Sequence, residues 1–174
     1  MLKINRQLKI PAIRRCNGMY KQYMNTEATA SNVVGILREN HNMWERRAPL
    51  TPTQVRKIVE SQPQQIKVLV QPCTRRVFSD REYEDAGAII TDDLSGASLI
   101  FGVKAPKAKD LQANKCYMFF SHVIKAQPYS MPLLDTILEK NIDLYDYECI
   151  TEKGRDDTKR LVAFGQFAGQ AGNR

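Results

Sequence analysis

The sequence has few of the residues from which metal sites and disulfide frameworks are built. Its 174 residues include only 2 histidines and 4 cysteines. It contains no Cys-x-x-Cys pair, and neither histidine stands at metal-ligand spacing from a cysteine. The cysteines are scattered along the chain, at Cys16, Cys73, Cys116 and Cys149. This pattern indicates neither a zinc site nor a disulfide framework, and unpaired thiols are typical of a reducing compartment.

Long hydrophobic runs are also lacking, since no apolar stretch approaches the roughly 18 residues that a membrane-spanning helix requires. Hydrophobic residues make up 43% of the chain and charged residues 26%, which is ordinary for a globular protein. The length suits one domain with a hydrophobic core. We therefore predict a single globular domain that does not engage a membrane.

Acidic residues are missing from the first 26 positions, although these positions carry six of the seven net positive charges. The rest of the chain is nearly neutral, which argues against a nucleic-acid-binding surface. An acid-free basic segment with interspersed leucine and isoleucine is typical of a mitochondrial presequence, so residues 1–31 predict import into the matrix. Pro11 and the scarcity of serine leave a disordered basic tail or a nucleic-acid arm as the alternative.

Short apolar runs alternate with helix-start signals beyond this segment. Thr51 with Gln54, and Ser79 with Glu82, have the spacing of capping boxes, and another helix is predicted to begin at Pro128. Strands are predicted at 33–37, 66–70, 88–91, 99–103, 116–120 and 142–145, and a hairpin at 149–162. This alternation predicts an α/β, Rossmann-like layered sheet over 32–166, mainly parallel, with helices on both faces.

Ionisable residues follow several of the predicted strands. Arg47 follows the first, Lys104 ends the fourth, His122 follows the fifth, and Glu148 follows the last. Ligand crevices of open α/β sheets lie beyond the carboxyl ends of the strands, so the four side chains are predicted to share one crevice. Each also has an ordinary structural explanation, as an exposed lysine, a hydrogen-bonded histidine or a surface ion pair.

These residue types suit acid–base chemistry on a carboxylate substrate. Lys104 and His122, if adjacent, would disfavour each other's protonation, Glu148 would oppose that effect, and such a pair can shuttle protons near neutral pH. Arg46 and Arg47 precede a strongly capped helix start, which predicts an anion site in which Arg47 clamps a carboxylate. A solvated basic loop is the alternative at this position.

Five segments of the sequence together resemble one family. They are the segments 45–52, 102–104, 119–127, 145–148 and 160–169, which read ERRAPLTP, GVK, FFSHVIKAQ, YDYE and RLVAFGQFAG. The family is the N-terminal domain shared by alanine dehydrogenase and pyridine nucleotide transhydrogenase. Within it, the chain looks most like the lysine–2-oxoglutarate reductase half of mitochondrial α-aminoadipic semialdehyde synthases, which form saccharopine.

The resemblance implies the substrate-side domain of a two-domain dehydrogenase. Such an enzyme condenses L-lysine with 2-oxoglutarate and reduces the product to saccharopine with NADPH, on the route of lysine degradation. Subunits of the full-length enzyme are a further implied partner. The roles implied by motif are acid–base chemistry for Lys104 and His122, substrate binding for Arg47 and Lys125, and adjustment of the lysine and histidine by Glu45 and Glu148.

The glycines near the end of the chain depart from the family's pattern. Gly165, Gly169 and Gly172 do not form the Gly-x-Gly-x-x-Gly turn that cradles a pyrophosphate. Residues 167–174 are therefore interpreted as the truncated start of an inter-domain segment, from a truncated product, a splice form or a mispredicted gene end. We expect no tight cofactor binding and no turnover by this chain alone. The alternatives are a fragment that associates with or modulates the full-length enzyme, an alanine dehydrogenase or transhydrogenase relative, and a mitochondrial nucleic-acid protein.

Overall fold

The computed structural model describes residues 32–62, 66–152 and 159–164. The predicted presequence, the tip of the predicted hairpin and the glycine-containing segment 165–174 lie outside the described residues. Within the described ranges, no helix is both long enough and apolar enough to cross a membrane.

Six strands form one sheet in the order β3-β2-β1-β4-β5-β6. Every neighbouring pair is parallel, which confirms the predicted Rossmann-like sheet. The predicted strand bounds are matched or differ by one or two residues, the usual uncertainty at element ends. The strands are β1 (Asn32–Ile36), β2 (Ile66–Val70), β3 (Ile89–Ile90), β4 (Leu99–Lys104), β5 (Cys116–Phe120) and β6 (Asp143–Asp146).

Three α-helices connect these strands: α1 (Pro52–Ser61), α2 (Asp80–Asp85) and α3 (Met131–Glu139). Both predicted capping boxes are confirmed, at the start of α1 and at the start of α2. The helix predicted to begin at Pro128 instead opens with a 3₁₀ turn, Pro128–Ser130, and α3 follows it. The reason is Pro132, which has no N–H to donate to the carbonyl of Pro128, so a regular α-helical hydrogen bond cannot form there.

Two hydrophobic cores form on the sheet. Ile36 of β1 and Val55 of α1 belong to one core, with Tyr83 of α2. Val33 of β1 belongs to the other, with Phe119 of β5 and Ile137 of α3. Positions 33 and 36 of a strand point to opposite faces, so helices cover both faces of the sheet as predicted. The strand order reverses between β1 and β4, and ligand crevices lie at this point in doubly wound folds.

Candidate active site

The strands β1, β4, β5 and β6 end at the same edge of the sheet, and the predicted site residues lie at or after these ends. Lys104 is the last residue of β4 and pairs in register with Phe120, the last residue of β5. His122 follows β5 by two residues, and Glu148 follows β6 by two residues. Parallel pairing therefore places Lys104 and His122 at neighbouring strand ends. We call the part of this edge at the ends of β1 and β4 the β1–β4 side, and the part at the ends of β5 and β6 the β5–β6 side.

The carboxylate of Glu148 is the centre of the β5–β6 side. Its side chain is 3% exposed, with Oε2 2.9 Å from His122 Nδ1 and Oε1 3.0 Å from Lys125 Nζ. Arg160 Nη1 lies 2.9 Å from the same Oε1 and comes from a segment that is bridged to Thr151 in antiparallel fashion. Burial raises the pKa of Glu148, but the hydrogen bonds from Lys125 and His122 outweigh it, so the net shift is downward. Glu148 is therefore held as a carboxylate.

The contacts of His122 define which ring nitrogen is available for chemistry. Nδ1 lies 2.9 Å from Glu148 Oε2 and 3.2 Å from Lys125 Nζ. Because Nδ1 cannot donate to the carboxylate and accept from the ammonium at once, the consistent arrangement has both His122 and Lys125 donating to Glu148. Nε2 is then the nitrogen left to exchange a proton with a substrate.

Glu45 and Arg47 form a two-point ion pair on the β1–β4 side. Arg47 Nε donates to Glu45 Oε1 at 2.7 Å and Nη2 donates to Oε2 at 2.5 Å. The hydrogen bond from Arg47 is the main cause of the lowered pKa of Glu45, and the charge of Lys104 contributes as well. One edge of the guanidinium is thus occupied, while the edge formed by its two Nη atoms is the one a substrate carboxylate could use.

The predicted anion site involves one of the two paired arginines instead of both. Arg46 Nε donates to the carbonyl oxygen of Arg75 at 3.1 Å, so this side chain is bound elsewhere. The backbone amide of Gln54 at the helix start is taken by the hydroxyl of Thr51. The helix start at Thr51 forms as its sequence predicts, but the loop before it directs Arg46 toward the connection between β2 and α2. Arg47 is the cation of this pair that reaches the site.

Sequence reasoning missed Glu39, a buried acid three residues after β1. Its Oε1 accepts the backbone N–H of Val103 at 2.6 Å, and Oε2 accepts that of Lys104 at 3.0 Å. Burial is the main cause of the raised pKa of Glu39, the two backbone hydrogen bonds oppose it, and the charge of Glu45 adds to it. A Cβ at Gly102 would meet Leu37 at 3.2 Å, so glycine leaves room for this packing. Applying the strand-end rule to β1 itself would have found Glu39.

An aromatic-lined cavity of about 390 Å³ adjoins both sides of the edge. Phe120 packs against Tyr147 and Phe164, with ring centres 5.0 and 5.7 Å apart, and the guanidinium of Arg47 lies 5.1 Å from the centre of the Phe164 ring. The volume falls within the range of small-molecule sites. Val103, which also lines the cavity, directly precedes Lys104, as Tyr147 precedes Glu148. The cavity is thus lined by the residues that precede Lys104 and Glu148 in the chain, and by Arg47 itself.

The predicted site residues thus gather at one edge of the sheet in two groups. The β1–β4 side holds Glu45 and Arg47 with Lys104 nearby, and the β5–β6 side holds His122, Lys125 and Glu148. The contacts of His122 are with Glu148 and Lys125, while Lys104 contributes to the charge field around Glu45.

Comparison with known proteins identifies the family of this domain. Residues 35–171 match the family described as "Alanine dehydrogenase/PNT, N-terminal domain". The chain belongs to this family. Two solved structures share the fold of this alanine dehydrogenase/PNT N-terminal domain. A transhydrogenase from Sinorhizobium meliloti superposes with a TM-score of 0.58 at 19% identity, covering 69% of this chain and 36% of its own. An L-alanine dehydrogenase gives 0.56 at 22% identity, covering 67% and 32%.

Curated relatives narrow the similarity within the family. The domain is 45% identical over 145 residues to an alpha-aminoadipic semialdehyde synthase of Arabidopsis thaliana, covering 82% of this chain and 13% of the relative. It is 49% identical over 141 residues to the mitochondrial enzyme of that name from Bos taurus, covering 80% and 14%. A saccharopine dehydrogenase [NAD(+), L-lysine-forming] of Yarrowia lipolytica is 30% identical over 141 residues, covering 78% and 37%. The predicted resemblance is confirmed, and the chain spans about one seventh of the length of the synthases.

Proposed function

We propose that this domain supplies the substrate side of a lysine–2-oxoglutarate reductase. In that reaction L-lysine condenses with 2-oxoglutarate, and the imine is reduced to saccharopine during lysine degradation. The names of the synthase and saccharopine dehydrogenase relatives support this proposal. The observation that carries it is the sheet edge itself, where an imidazole is held by a buried carboxylate on one side and a half-free guanidinium lines an aromatic cavity on the other.

The β5–β6 side is suited to the proton transfers of condensation. The attacking amine must lose a proton, and the carbinolamine must gain one at the oxygen that leaves as water. His122 Nε2 can accept the first proton and return the second, because Glu148 holds Nδ1 and stabilises the cation formed in between. Lys104 at the neighbouring strand end is proposed as the second acid–base group, with Glu45 adjusting it as Glu148 adjusts His122.

Two cationic side chains are proposed to hold substrate carboxylates. Arg47 keeps its Nη edge for a two-point hydrogen bond, since Glu45 uses the opposite edge. Lys125 is bonded to Glu148 at 3.0 Å but is 40% exposed, so its remaining N–H groups can reach a ligand. The rings of Phe120 and Phe164 then supply the apolar wall for the methylene groups of the substrates.

The described residues do not fit a dinucleotide. The turn after β1 carries Arg38, Glu39 and Asn40 where a pyrophosphate cradle needs glycines, and Glu39 is buried there. The start of α1 is closed by its own capping box. We therefore propose that NADPH binds to groups outside the described residues and that this domain does not turn over by itself. The Yarrowia relative is named for NAD(+), so the choice of dinucleotide is part of the proposal.

Location in mitochondria is proposed on two grounds. The first 26 residues are basic and acid-free, and the relatives from Bos taurus, Mus musculus and Rattus norvegicus are named mitochondrial. Fusing residues 1–31 to a fluorescent protein tests this directly, and a cytosolic signal would contradict it.

Calorimetric titration of the purified chain with 2-oxoglutarate and with saccharopine tests the proposed function. We expect both to bind, and Arg47→Gln to weaken binding at least about tenfold, which corresponds to about 1.4 kcal/mol. Arg81→Gln is the matched control, because Arg81 is an exposed arginine on α2 that does not line the cavity. A folded chain that binds neither ligand would contradict the proposal. Saccharopine formation by the chain alone, from lysine, 2-oxoglutarate and NADPH, would contradict the proposed dependence on a further domain.

A further inference from the structure

Asp146, the last residue of β6, bonds to both turns of the β5–β6 side. Its Oδ1 accepts the backbone N–H of Glu148 at 2.9 Å. Its Oδ2 accepts the backbone N–H of Ser121 at 3.3 Å and also the hydroxyl of Ser121. The side chain is buried at 7% exposure. One carboxylate therefore joins the turn after β5 to the turn after β6.

Ser121 connects the Asp146 carboxylate to Val123, the residue that follows His122. The residue is 3% exposed, and its Oγ accepts the backbone N–H of Val123 at 3.2 Å while donating to Asp146. Ser121 and Val123 are the two neighbours of His122 in the chain. The residue before His122 is therefore bonded directly to the Asp146 carboxylate, and the residue after it is connected to that carboxylate through the Ser121 hydroxyl. The same carboxylate accepts the backbone N–H of Glu148.

The turn that carries His122 needs such support. His122 itself has φ 61 and ψ 6, and Ala126 has φ 50 and ψ 33, so two non-glycine residues within one short turn adopt the left-handed region. L-residues with a Cβ reach this region at a cost in backbone energy, and they remain there only where surrounding contacts hold them. The hydrogen bonds of Ser121 and Asp146 are contacts of this kind, made at the start of the turn.

We infer that Asp146, acting through Ser121, is the positioning residue that sets the distance and orientation between His122 and Glu148. This inference rests on the proposed function only for the use of that pair as an acid–base unit. Asp146 contacts the backbone of Ser121 and Glu148 and the hydroxyl of Ser121. It therefore acts on the chemistry by holding His122 and Glu148 at their 2.9 Å separation.

Carboxyl-selective NMR titration of Glu148 in the purified chain tests the inference. In the native chain the pKa of Glu148 is lowered: burial raises it, but the hydrogen bonds from Lys125 and His122 prevail. In Ser121→Ala and Asp146→Asn we expect the pKa to rise, because the donors lose their alignment. Removing the negative charge of Asp146 would by itself lower the pKa of Glu148, so a rise reports lost geometry rather than lost charge.

Amide exchange supplies the second measurement. We expect the backbone amides at 121, 123 and 148 to exchange at least about tenfold faster in Asp146→Asn, and the amide at 123 to do so in Ser121→Ala, with those of the β1–β4 side unchanged. Asp143→Asn is the matched control, since Asp143 is an exposed residue of the same strand. If Asp146→Asn fails to fold, Ser121→Ala decides the question, because it removes a single oxygen atom.

Faster exchange with an unchanged Glu148 titration would overturn the inference, since it would show a structural contact without influence on the pair. An unchanged exchange rate would overturn it as well. The proposed function is judged separately by 2-oxoglutarate binding. Binding with an unmoved Glu148 titration removes only this inference, and a moved titration without binding removes only the function.

Discussion

The two sides of the sheet edge hold buried glutamates in opposite electrostatic settings. Glu39 on the β1–β4 side has a raised pKa, whereas Glu148 on the β5–β6 side has a lowered one. Burial raises the pKa at both positions, and it prevails at Glu39 but is outweighed at Glu148. Glu39 accepts two neutral backbone amides, while Glu148 faces a histidine, a lysine and an arginine. The partners decide the direction of the shift.

The difference separates two tasks within one site. Glu39 organises the backbone, because its two hydrogen bonds fix the end of β4, where the pairing with β5 shifts register between Phe101 and Lys104. Glu148 organises side chains, because its two oxygens hold His122, Lys125 and Arg160 together. Carboxylates whose environments push their pKa values apart commonly divide the work of an acid–base site.

Removing the carboxylate of Glu39 should have the largest effect on folding. Glu39→Ala leaves the amides of Val103 and Lys104 without their acceptor, and each buried unsatisfied donor costs about 1–3 kcal/mol. We expect the free energy of unfolding to fall by about 2–4 kcal/mol in urea titrations followed by circular dichroism. Glu60→Ala, an exposed position on α1, is the control and should stay within about 0.5 kcal/mol. A loss of similar size to the control would mean that Glu39 does not hold the strand end.

The pH dependence of stability should differ in sign between the two glutamates. The raised pKa of Glu39 means that its stabilising contribution is full below the unfolded value of about 4.3 and is lost as the pH rises through the folded pKa. The lowered pKa of Glu148 means that its contribution is present above about 4.3 and is lost as the pH falls through the folded pKa. Stability curves of Glu39→Gln and Glu148→Gln against the native chain from pH 3 to 8 measure both.

The expected result is a stability difference from the native chain that shrinks with rising pH for Glu39→Gln and grows with rising pH for Glu148→Gln. Slopes of the same sign would show that the two environments are alike. The Gln variants keep a hydrogen-bond acceptor and nearly the same volume, so the comparison isolates charge.

The sequence predicts the parts of this edge that depend on neighbouring residues. The capping boxes of Thr51 and Ser79 involve partners three residues away and are found as predicted. The position of Glu39 after β1 could have been noticed, but its hydrogen bonds could not be predicted, because their donors lie 64 and 65 residues further along the chain. Asp146 was missed because Ser121 precedes it by 25 residues. Contacts at such separations depend on strand order and register, which hydrophobic patterns leave open.

Arg46 shows that residues adjacent in the sequence can have different partners in the structure. Its sequence position beside Arg47 predicted a shared anion site, but the carbonyl that it binds belongs to Arg75, 29 residues away. Adjacent residues in an extended loop point in different directions, so proximity in sequence does not imply a shared target. Strand ends locate the site, and tertiary contacts decide which of the residues near those ends enter it.

Replacing the planar cation of the β1–β4 side should have a moderate effect. Arg47→Lys keeps the charge but loses the two-point bond to Glu45 and the contact with the ring of Phe164. Because Arg47 is 44% exposed, solvent screening limits the loss to about 0.5–1 kcal/mol. We also expect the pKa of Glu45 to move up toward its ordinary range in carboxyl NMR. Arg81→Lys on the surface of α2 is the control, and an unmoved Glu45 titration would contradict the role given to Arg47.

The smallest effect is expected from a substitution that removes backbone strain from the turn after β5. Ala126 holds φ 50 and ψ 33, a region that glycine occupies without the clash of a Cβ. Ala126→Gly removes that strain but makes the unfolded chain more flexible, so we expect a net gain of no more than about 1 kcal/mol. Ala86→Gly is the comparison at a right-handed position, φ −85, and it should lose stability through greater backbone freedom and, because Ala86 is buried, through lost packing. Thermal melts of both variants decide the point. Equal losses would show that the turn is not strained, and the need for Asp146 to hold it would then rest on geometry alone.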